Sequence, residues 1–510
     1  MHNQLKVGVL LSYSSMVLGC LISIIYIPIM LRMLGQSQYG VYNLVSSVVS
    51  YMSLLSFGFY SAYMRYQSRY KVHNKTEHIA ALNAMFLIIY LFIGFLAIVI
   101  GSVLVLNIEF VLGSKLDKIE LISAKKVMII MVINMSLSYP FSVFNSYITL
   151  NEKYVFQKFM QLIIAIANPF VMLPVLLMGF KAVGMSVVFT ILTLVVEVSN
   201  IIYCMTKLKM RFHLYKFDFK LLKEMIAFSS YVFLNMVVEL INWSVDKVIL
   251  GRVSGSIAVA VYGLAIQLNS YYYSFSSAIS SVFIPKVNEM VALANNNKDL
   301  TGLLTRIGRI QFFLLSFICT GLIFFGRPFI NLWAGEEYSD VYEITLLIVI
   351  PVTIPLIQSL GIEIQRAKNM HQFYSWIYLF IALGKVSISI PLARMYGGVG
   401  AAVGTTISLL IGNGIIMNWN YSKRIGLDMK YFWCQIVKII PSFIPSIILG
   451  SILYWFVDLY QIQSFFLYGL LYSLVFFVSV WFFGMNQYEK NQIIRAKGYL
   501  NDKILKIRAK

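Results

Sequence analysis

Seven charged residues lie inside stretches apolar enough to cross a membrane: Arg32, Glu197, Glu239, Asp246, Lys247, Glu363 and Lys385. A charge facing lipid costs roughly 2.5–3.5 kcal/mol on insertion scales, so each of these is expected to face a cavity or a partner. Glu239, Trp243 and Asp246 are spaced i, i+4 and i+7, which puts them on one face of a helix. Lys247 follows one residue on, about 100° around the same helix. Asn235 and Asn242 lengthen the polar stripe. No other stretch has this density, so the segment around 226–250 is the best candidate to line a watery lumen. Lys385 lies near the middle of its stretch, where snorkelling to the surface is hard, and reads as cavity-facing.

The chemistry open to this set is recognition of a polar or charged solute rather than bond-making. There is no P-loop, since Leu379 stands where the first glycine before Gly384, Lys385 and Ser387 should be. HExxH, GxSxG and CxxC patterns are missing, and His2, His73, His78, His213 and His371 do not pair at metal spacing. Cys20, Cys204, Cys319 and Cys434 read as small apolar residues. Neither ATP hydrolysis, a metal site nor a bound cofactor is expected.

Plainer readings stand beside several candidates. Arg32 and Arg252 lie near the outer ends of their stretches and are placed to snorkel to lipid phosphates. Glu363 is placed to pair with Arg366. Tyr271, Tyr272, Tyr273 and Phe275 suit either stacking on sugar rings or packing at a membrane interface.

The elements that position these residues follow from composition. The chain has 510 residues, 59% hydrophobic and only 12% charged, with a mean hydropathy of +0.78. A soluble domain is typically about a quarter charged. At about 20 apolar residues per crossing, fourteen spans are predicted: 9–34, 39–64, 80–107, 127–150, 158–179, 182–205, 226–250, 258–283, 307–331, 342–365, 373–393, 399–421, 436–456 and 464–484. The first is too long for a cleaved signal and reads as a retained span.

With the N-terminus inside, most of the 41 basic residues fall in inner loops and the tail. The outer loops hold only Lys115, Lys118, Lys125, Lys126, Lys181, Arg252 and Arg394. This asymmetry predicts both termini on the cytoplasmic side. The net charge of +20 is then a topology signal and a patch for anionic membrane lipids, not a nucleic-acid footprint. Residues 485–510 alternate apolar and basic positions and are expected to lie on the membrane surface as an amphipathic helix. The outer acids Glu109, Asp117 and Glu120 read as a solvated loop.

The chain also repeats itself. Gly35, Tyr42, Ser50 and Tyr51 recur as Gly255, Tyr262, Ser270 and Tyr271 at an offset of 220, and Val183, Gly184, Thr190 and Ile191 recur as Val399, Gly400, Thr406 and Ile407 at 216. Duplicated membrane bundles usually mean a transporter whose path runs between the halves.

Five motifs, in order, carry a resemblance. They are Leu34 and Gly35 with Tyr39, Gly40 and Tyr42; Gly58 through Arg65 to Tyr70; Asp246, Lys247, Leu250 and Gly251; Trp333 and Gly335 with Glu336, Glu337 and Tyr338; and Tyr396, Gly397, Gly400, Ala401 and Ala402. Together they resemble the multidrug/oligosaccharidyl-lipid/polysaccharide (MOP) exporter superfamily. Within it, the match is to bacterial flippases for O-antigen or capsule repeat units (Wzx-type).

The resemblance implies an all-α polytopic membrane protein of MATE-like fold. Residues 1–224 and 225–432 would be two pseudo-symmetric six-helix bundles, 433–484 two further helices and 485–510 the basic tail. It implies a site in the bacterial cytoplasmic membrane and a cargo of undecaprenyl-diphosphate-linked oligosaccharide. The driver would be a coupling ion (proton or sodium) or the membrane potential, and the partners a polysaccharide polymerase and export machinery. Lys385, Lys247 and Arg32 would meet the diphosphate. Glu239, Asp246 and nearby Tyr and Asn residues would bind sugar hydroxyls or a coupling cation. Arg65, Glu197, Arg252, Tyr271, Tyr272 and Glu363 are secondary candidates. A cation-coupled drug antiporter and a lipid II flippase of the same superfamily are the rival readings. A membrane glycosyltransferase would need a large outer loop that the chain lacks.

Overall fold

Apolar runs that cannot hydrogen-bond to lipid must satisfy their backbone internally, which in a single segment means a helix. The computed structural model describes residues 2–73, 76–113, 115–213, 218–293, 296–368, 370–491 and 494, and among them there is no strand. The helices run α1 (His2–Ser50), α2 (Phe59–Val72), α3 (Thr76–Leu106), α4 (Ile108–Leu112), α5 (Lys118–Leu150) and α6 (Tyr154–Leu177). Then follow α7 (Lys181–Thr206), α8 (Phe219–Trp243), α9 (Val245–Val253), α10 (Ser256–Ala292), α11 (Asn297–Ala334) and α12 (Val341–Ile357). The last are α13 (Ser359–Ala367), α14 (His371–Leu409), α15 (Met417–Asn420), α16 (Met429–Val437), α17 (Ile444–Phe456) and α18 (Ile462–Ser479).

Eleven helical stretches among the described residues are long and apolar enough to cross a membrane, against the fourteen spans predicted. Two of them, Leu18–Val72 and Ser375–Ile425, each cover two predicted spans. Inside them the backbone leaves helical geometry at Gly35 (φ 73°) and Gly397 (φ 57°), so each stretch is two helices joined at a tight glycine kink. α10 covers the predicted span 258–283 but is not among the eleven; Gln267, Asn269, Ser270 and three consecutive tyrosines dilute its apolar character. The predicted tail helix at 485–510 lies mostly outside the described residues.

The duplication is written into the backbone as well as the sequence. Left-handed positions recur in pairs: Gly35 with Gly255, Gly113 with Gly335, Lys181 with Gly397, and Lys209 with Gly426. Each pair is separated by about the repeat offset, and each marks a turn between helices. Lys181 and Lys209 hold positive φ without being glycine, at a local cost of roughly 1–2 kcal/mol each.

The chain forms two compact units. The first is Met1–Leu268 with His371–Ser408; the second is Asn269–Met370 with Leu409–Lys510. In the first, α14 bends at Gly397 and folds its second arm onto its first. A Cβ at Gly400 would lie 2.0 Å from the Leu392 carbonyl oxygen, and one at Gly404 would lie 2.4 Å from Ser389 Oγ. Small residues four apart thus let the arms touch, as in other tightly packed membrane helices.

The second unit has aromatic packing of α11 against α18 and the turn just before α17, with Phe312 5.7 Å from Phe443 and Phe443 stacked on Phe476 at 5.4 Å. Arg309 is buried there. It binds both carboxylate oxygens of Glu489 at 2.6 and 2.9 Å, and the Gln435 and Gly484 carbonyls at 2.9 and 3.0 Å.

Gly400→Ala is expected to destabilise the protein by about 1–3 kcal/mol through overpacking. Gly302→Ala, in a helix where nothing lies within 4 Å of the new methyl, should be neutral or stabilising by up to about 1 kcal/mol. Thermal unfolding of the two detergent-purified variants checks this; equal melting temperatures would refute the close-packing account.

Candidate functional site

The polar stripe predicted around 226–250 falls on a broken helix. α8 ends at Trp243 and α9 starts at Val245, with Ser244 between them. The Asn242 carbonyl therefore lies in the last turn of α8, and Asp246 in the first turn of α9. Lys385, on the first arm of α14, reaches this break. Its ammonium lies 2.7 Å from Asp246 Oδ2 and donates to the Asn242 carbonyl at 2.5 Å. Both charged side chains are 2% exposed.

The placement follows helix electrostatics. A cation at a helix C-terminus and an anion at a helix N-terminus are each stabilised by the local dipole. The break thus supplies a partial negative end for Lys385 and a partial positive end for Asp246. Two hydroxyls complete the cluster. Tyr262 on α10 donates to Asp246 Oδ2 at 2.8 Å, and Thr405 on the second arm of α14 donates to the same atom at 3.1 Å. The bend at Gly397 is what brings Lys385 and Thr405, twenty residues apart, to one carboxylate. The other oxygen, Oδ1, is buried and accepts no hydrogen bond among the described residues.

Other predicted residues lie on the same helices. Lys247 is half-buried beside Asp246 and makes no hydrogen bond or ion pair among the described residues. Asn235 accepts from Ser375 at 3.1 Å, a second tie between α8 and α14. Trp243 is half-buried at the break, and Glu239 is exposed on α8.

The remaining candidates are elsewhere. Arg32 is exposed on α1. Arg65 is exposed with its guanidinium 4.5 Å over the Phe228 ring, and Arg252 is exposed with its own 5.6 Å over Phe110. Glu197 is half-buried on α7, and its buried Oε2 has no hydrogen-bond partner among the described residues. Glu363 pairs with Arg366 at 2.8 Å, the plainer of its two readings. Tyr271 is half-buried; Tyr272 is fully buried, its hydroxyl 2.6 Å from Thr353 Oγ1 and 3.3 Å from the Leu315 carbonyl. Tyr272 is thus engaged in packing within the second unit.

Sequence reasoning missed Tyr262 and Thr405 as members of the centre. A signal was present: Tyr262 belongs to the first repeated motif, and Thr405 adjoins Thr406 of the second. Among the described residues there is no cluster of His, Cys, Asp or Glu able to hold a metal ion.

Removing one partner of a buried ion pair leaves an uncompensated charge, at about 3–5 kcal/mol. Lys385→Met and Asp246→Asn should each lower stability strongly, while the double variant Asp246→Asn with Lys385→Met should recover much of the loss. A double-mutant cycle on melting temperature measures this; strictly additive losses would mean the pair is not energetically coupled.

Comparison with known proteins follows the same lines. The solved structures similar to this chain include "Lipid II flippase MurJ, inward closed conformation" at 16% identity and a TM-score of 0.71, over 92% of this chain and 97% of that one. Another is an inward-facing multidrug resistance MATE family transporter of the MOP superfamily, at 12% identity and a TM-score of 0.65, over 80% and 94%. A third is the Vibrio cholerae MATE transporter VcmN in the bent form, at 14% and 0.54, over 81% and 96%. These likenesses establish the fold. No individual curated protein matches the chain. The family described as "Polysaccharide biosynthesis protein" matches residues 29–343. The chain is therefore a multi-pass membrane protein with the fold of the MOP exporters, and it belongs to the polysaccharide biosynthesis protein family.

Proposed function

We propose that this protein is a flippase. It moves a polyprenyl-diphosphate-linked oligosaccharide repeat unit from the cytoplasmic to the outer leaflet for surface polysaccharide synthesis, by alternating access and without ATP hydrolysis. The observation that carries the reading is the buried charged centre at the α8–α9 break, in a member of a polysaccharide biosynthesis family. In this reading residues 1–224 and 225–432 are the two moving bundles, 433–484 are accessory spans, and 485–510 is the cytoplasmic tail.

A polar headgroup cannot cross hydrocarbon unaided. A hydrophilic path open sideways to lipid lets the head cross while the polyprenyl tail stays in the bilayer. The centre has two cations, Lys247 and Lys385, and one anion, Asp246. Lys385 is held by Asp246, so Lys247 is the cation at the centre left to meet a diphosphate, with Arg32 nearer the surface. Asp246 Oδ1, buried without a donor, is left to accept a sugar hydroxyl. The membrane potential helps, by about 2.3 kcal/mol per negative charge per 100 mV moved outward, with a coupling proton or sodium ion as the other driver.

The two rivals make different demands. A cation-coupled drug antiporter needs a carboxylate available to an exchanging ion, whereas Asp246 is already engaged by Lys385. A lipid II flippase needs the same centre and differs in cargo.

Deletion of the gene in its host should abolish surface polymer and leave undecaprenyl-linked repeat units on the cytoplasmic leaflet. Loss of cell-wall synthesis instead would assign lipid II as cargo, and normal polymer with heightened sensitivity to cationic dyes would assign drug export. In proteoliposomes with an imposed potential and no nucleotide, Lys247→Ala should slow flipping about tenfold, as expected for loss of one charged phosphate contact. Lys247→Arg should restore it. An absolute requirement for ATP would overturn the mechanism.

A further inference from the structure

Glu120 has a role that its place in a predicted solvated loop does not suggest. It is half-buried in the first turn of α5. One carboxylate oxygen, Oε1, accepts from Ser37 Oγ at 2.6 Å and from Ser256 Oγ at 2.5 Å. The other, Oε2, accepts from the Asp117 backbone N–H at 3.0 Å, as half of the capping box that starts α5.

Ser37 and Ser256 sit just past Gly35 and Gly255, the duplicated left-handed turns. One carboxylate thus ties together the turn between the first and second spans, the turn between the seventh and eighth, and the start of the fourth. The charge pattern assigns all three to the outer face.

The backbones there are in contact. A Cβ on Gly40 would lie 1.9 Å from the Ser256 carbonyl oxygen, and one on Gly113 would lie 3.1 Å from Arg252 Cα. Just below, a Cβ on Gly251 would lie 2.4 Å from Leu44 Cδ1, and Leu44 is fully buried. The same seam stays packed further along: a Cβ on Gly58 would lie 2.8 Å from Val232 Cβ, Phe57 stacks on Phe233 at 4.8 Å, and Arg65 rests on Phe228 from an exposed position.

We propose that Glu120 is a positioning residue of the transport cycle. It latches the two duplicated turns together and holds the outer end of this seam closed, so that opening outward requires both serine hydroxyls to leave Oε1. The proposal rests on the transporter reading above. A carboxylate suits this task because hydrogen bonds to a charged acceptor are about twice as strong as neutral ones, yet each exchanges readily for water once the turns part.

The test uses the full-length chain in lipid nanodiscs, accessible from both faces, with Cys20, Cys204, Cys319 and Cys434 changed to alanine and Leu44→Cys as reporter. A membrane-impermeant maleimide should react slowly with this parent and about tenfold faster when Glu120→Ala is added. Because Glu120 also caps α5, Ser37→Ala with Ser256→Ala is made as a second variant. It removes both latch hydroxyls, spares the capping box, and should accelerate labelling comparably. Unchanged labelling in the serine double variant would overturn the latch, whatever Glu120→Ala does. Labelling reports conformation without substrate. Accelerated labelling in a protein that flips no lipid-linked sugar would therefore sink the flippase reading alone, and normal flipping with unmoved labelling would sink the latch alone.

Discussion

A charge in hydrocarbon must have a partner, and so must every backbone carbonyl that a helix break sets free. At the α8–α9 break these two needs answer each other. Lys385 takes the Asn242 carbonyl and neutralises Asp246, and Asp246 sits at the start of the next helix. Without the lysine, the break would leave a buried carboxylate; without the break, the lysine would lose its backbone ligand. Much of the local architecture exists to permit the meeting. The kink at Gly397 and the close contacts at Gly400 and Gly404 fold α14 tightly enough for both its arms to reach one carboxylate.

The scaffold is duplicated but the charges of the centre are not. At the repeat offsets, Asp246 corresponds to Tyr26, Lys385 to Pro169 and Thr405 to Phe189; of the cluster only Tyr262 has a like counterpart, Tyr42. The shared features are those that shape the backbone, such as Gly35 with Gly255. One half thus keeps a polar centre while the other keeps the same turns around tyrosine and apolar side chains. A moving pair of bundles needs matched hinges and turns for its geometry, whereas recognition of a headgroup needs charge at only one place along the path.

The residues with an intrinsic physical cost were legible in the sequence. Asp246, Lys247 and Lys385 stood out because charge in an apolar run demands an explanation, whereas the i, i+4, i+7 set is split by the break, with Glu239 and Trp243 on α8 and Asp246 on α9. Pairings were not legible, because they depend on which segments the fold brings together. Nothing in the local sequence ties Lys385 to Asp246, 139 residues away, or Glu120 to two serines on distant turns. Tyr262 and Thr405 were hidden for the same reason, since a hydroxyl in a helix is cheap and draws no attention. The count of spans differed because two pairs of spans follow one another across tight glycine kinks, with no loop between them, and α10 is diluted by its own polar residues.

The pairing also bears on how such a site could release what it binds. A lumen lined with unopposed cations would hold a diphosphate on both sides of the membrane alike, and uniform tight binding slows turnover rather than helping it. Here the centre carries an anion that competes for the same lysine. In the proposed cycle a diphosphate arriving near Lys247 draws on Lys385 only by displacing Asp246. Restoring the Asp246–Lys385 pair, with Tyr262 and Thr405 already aimed at the carboxylate, offsets the loss of the phosphate when it departs. On the proposed cycle, the ion pair that makes the charged centre tolerable in the membrane would also make its ligand exchangeable.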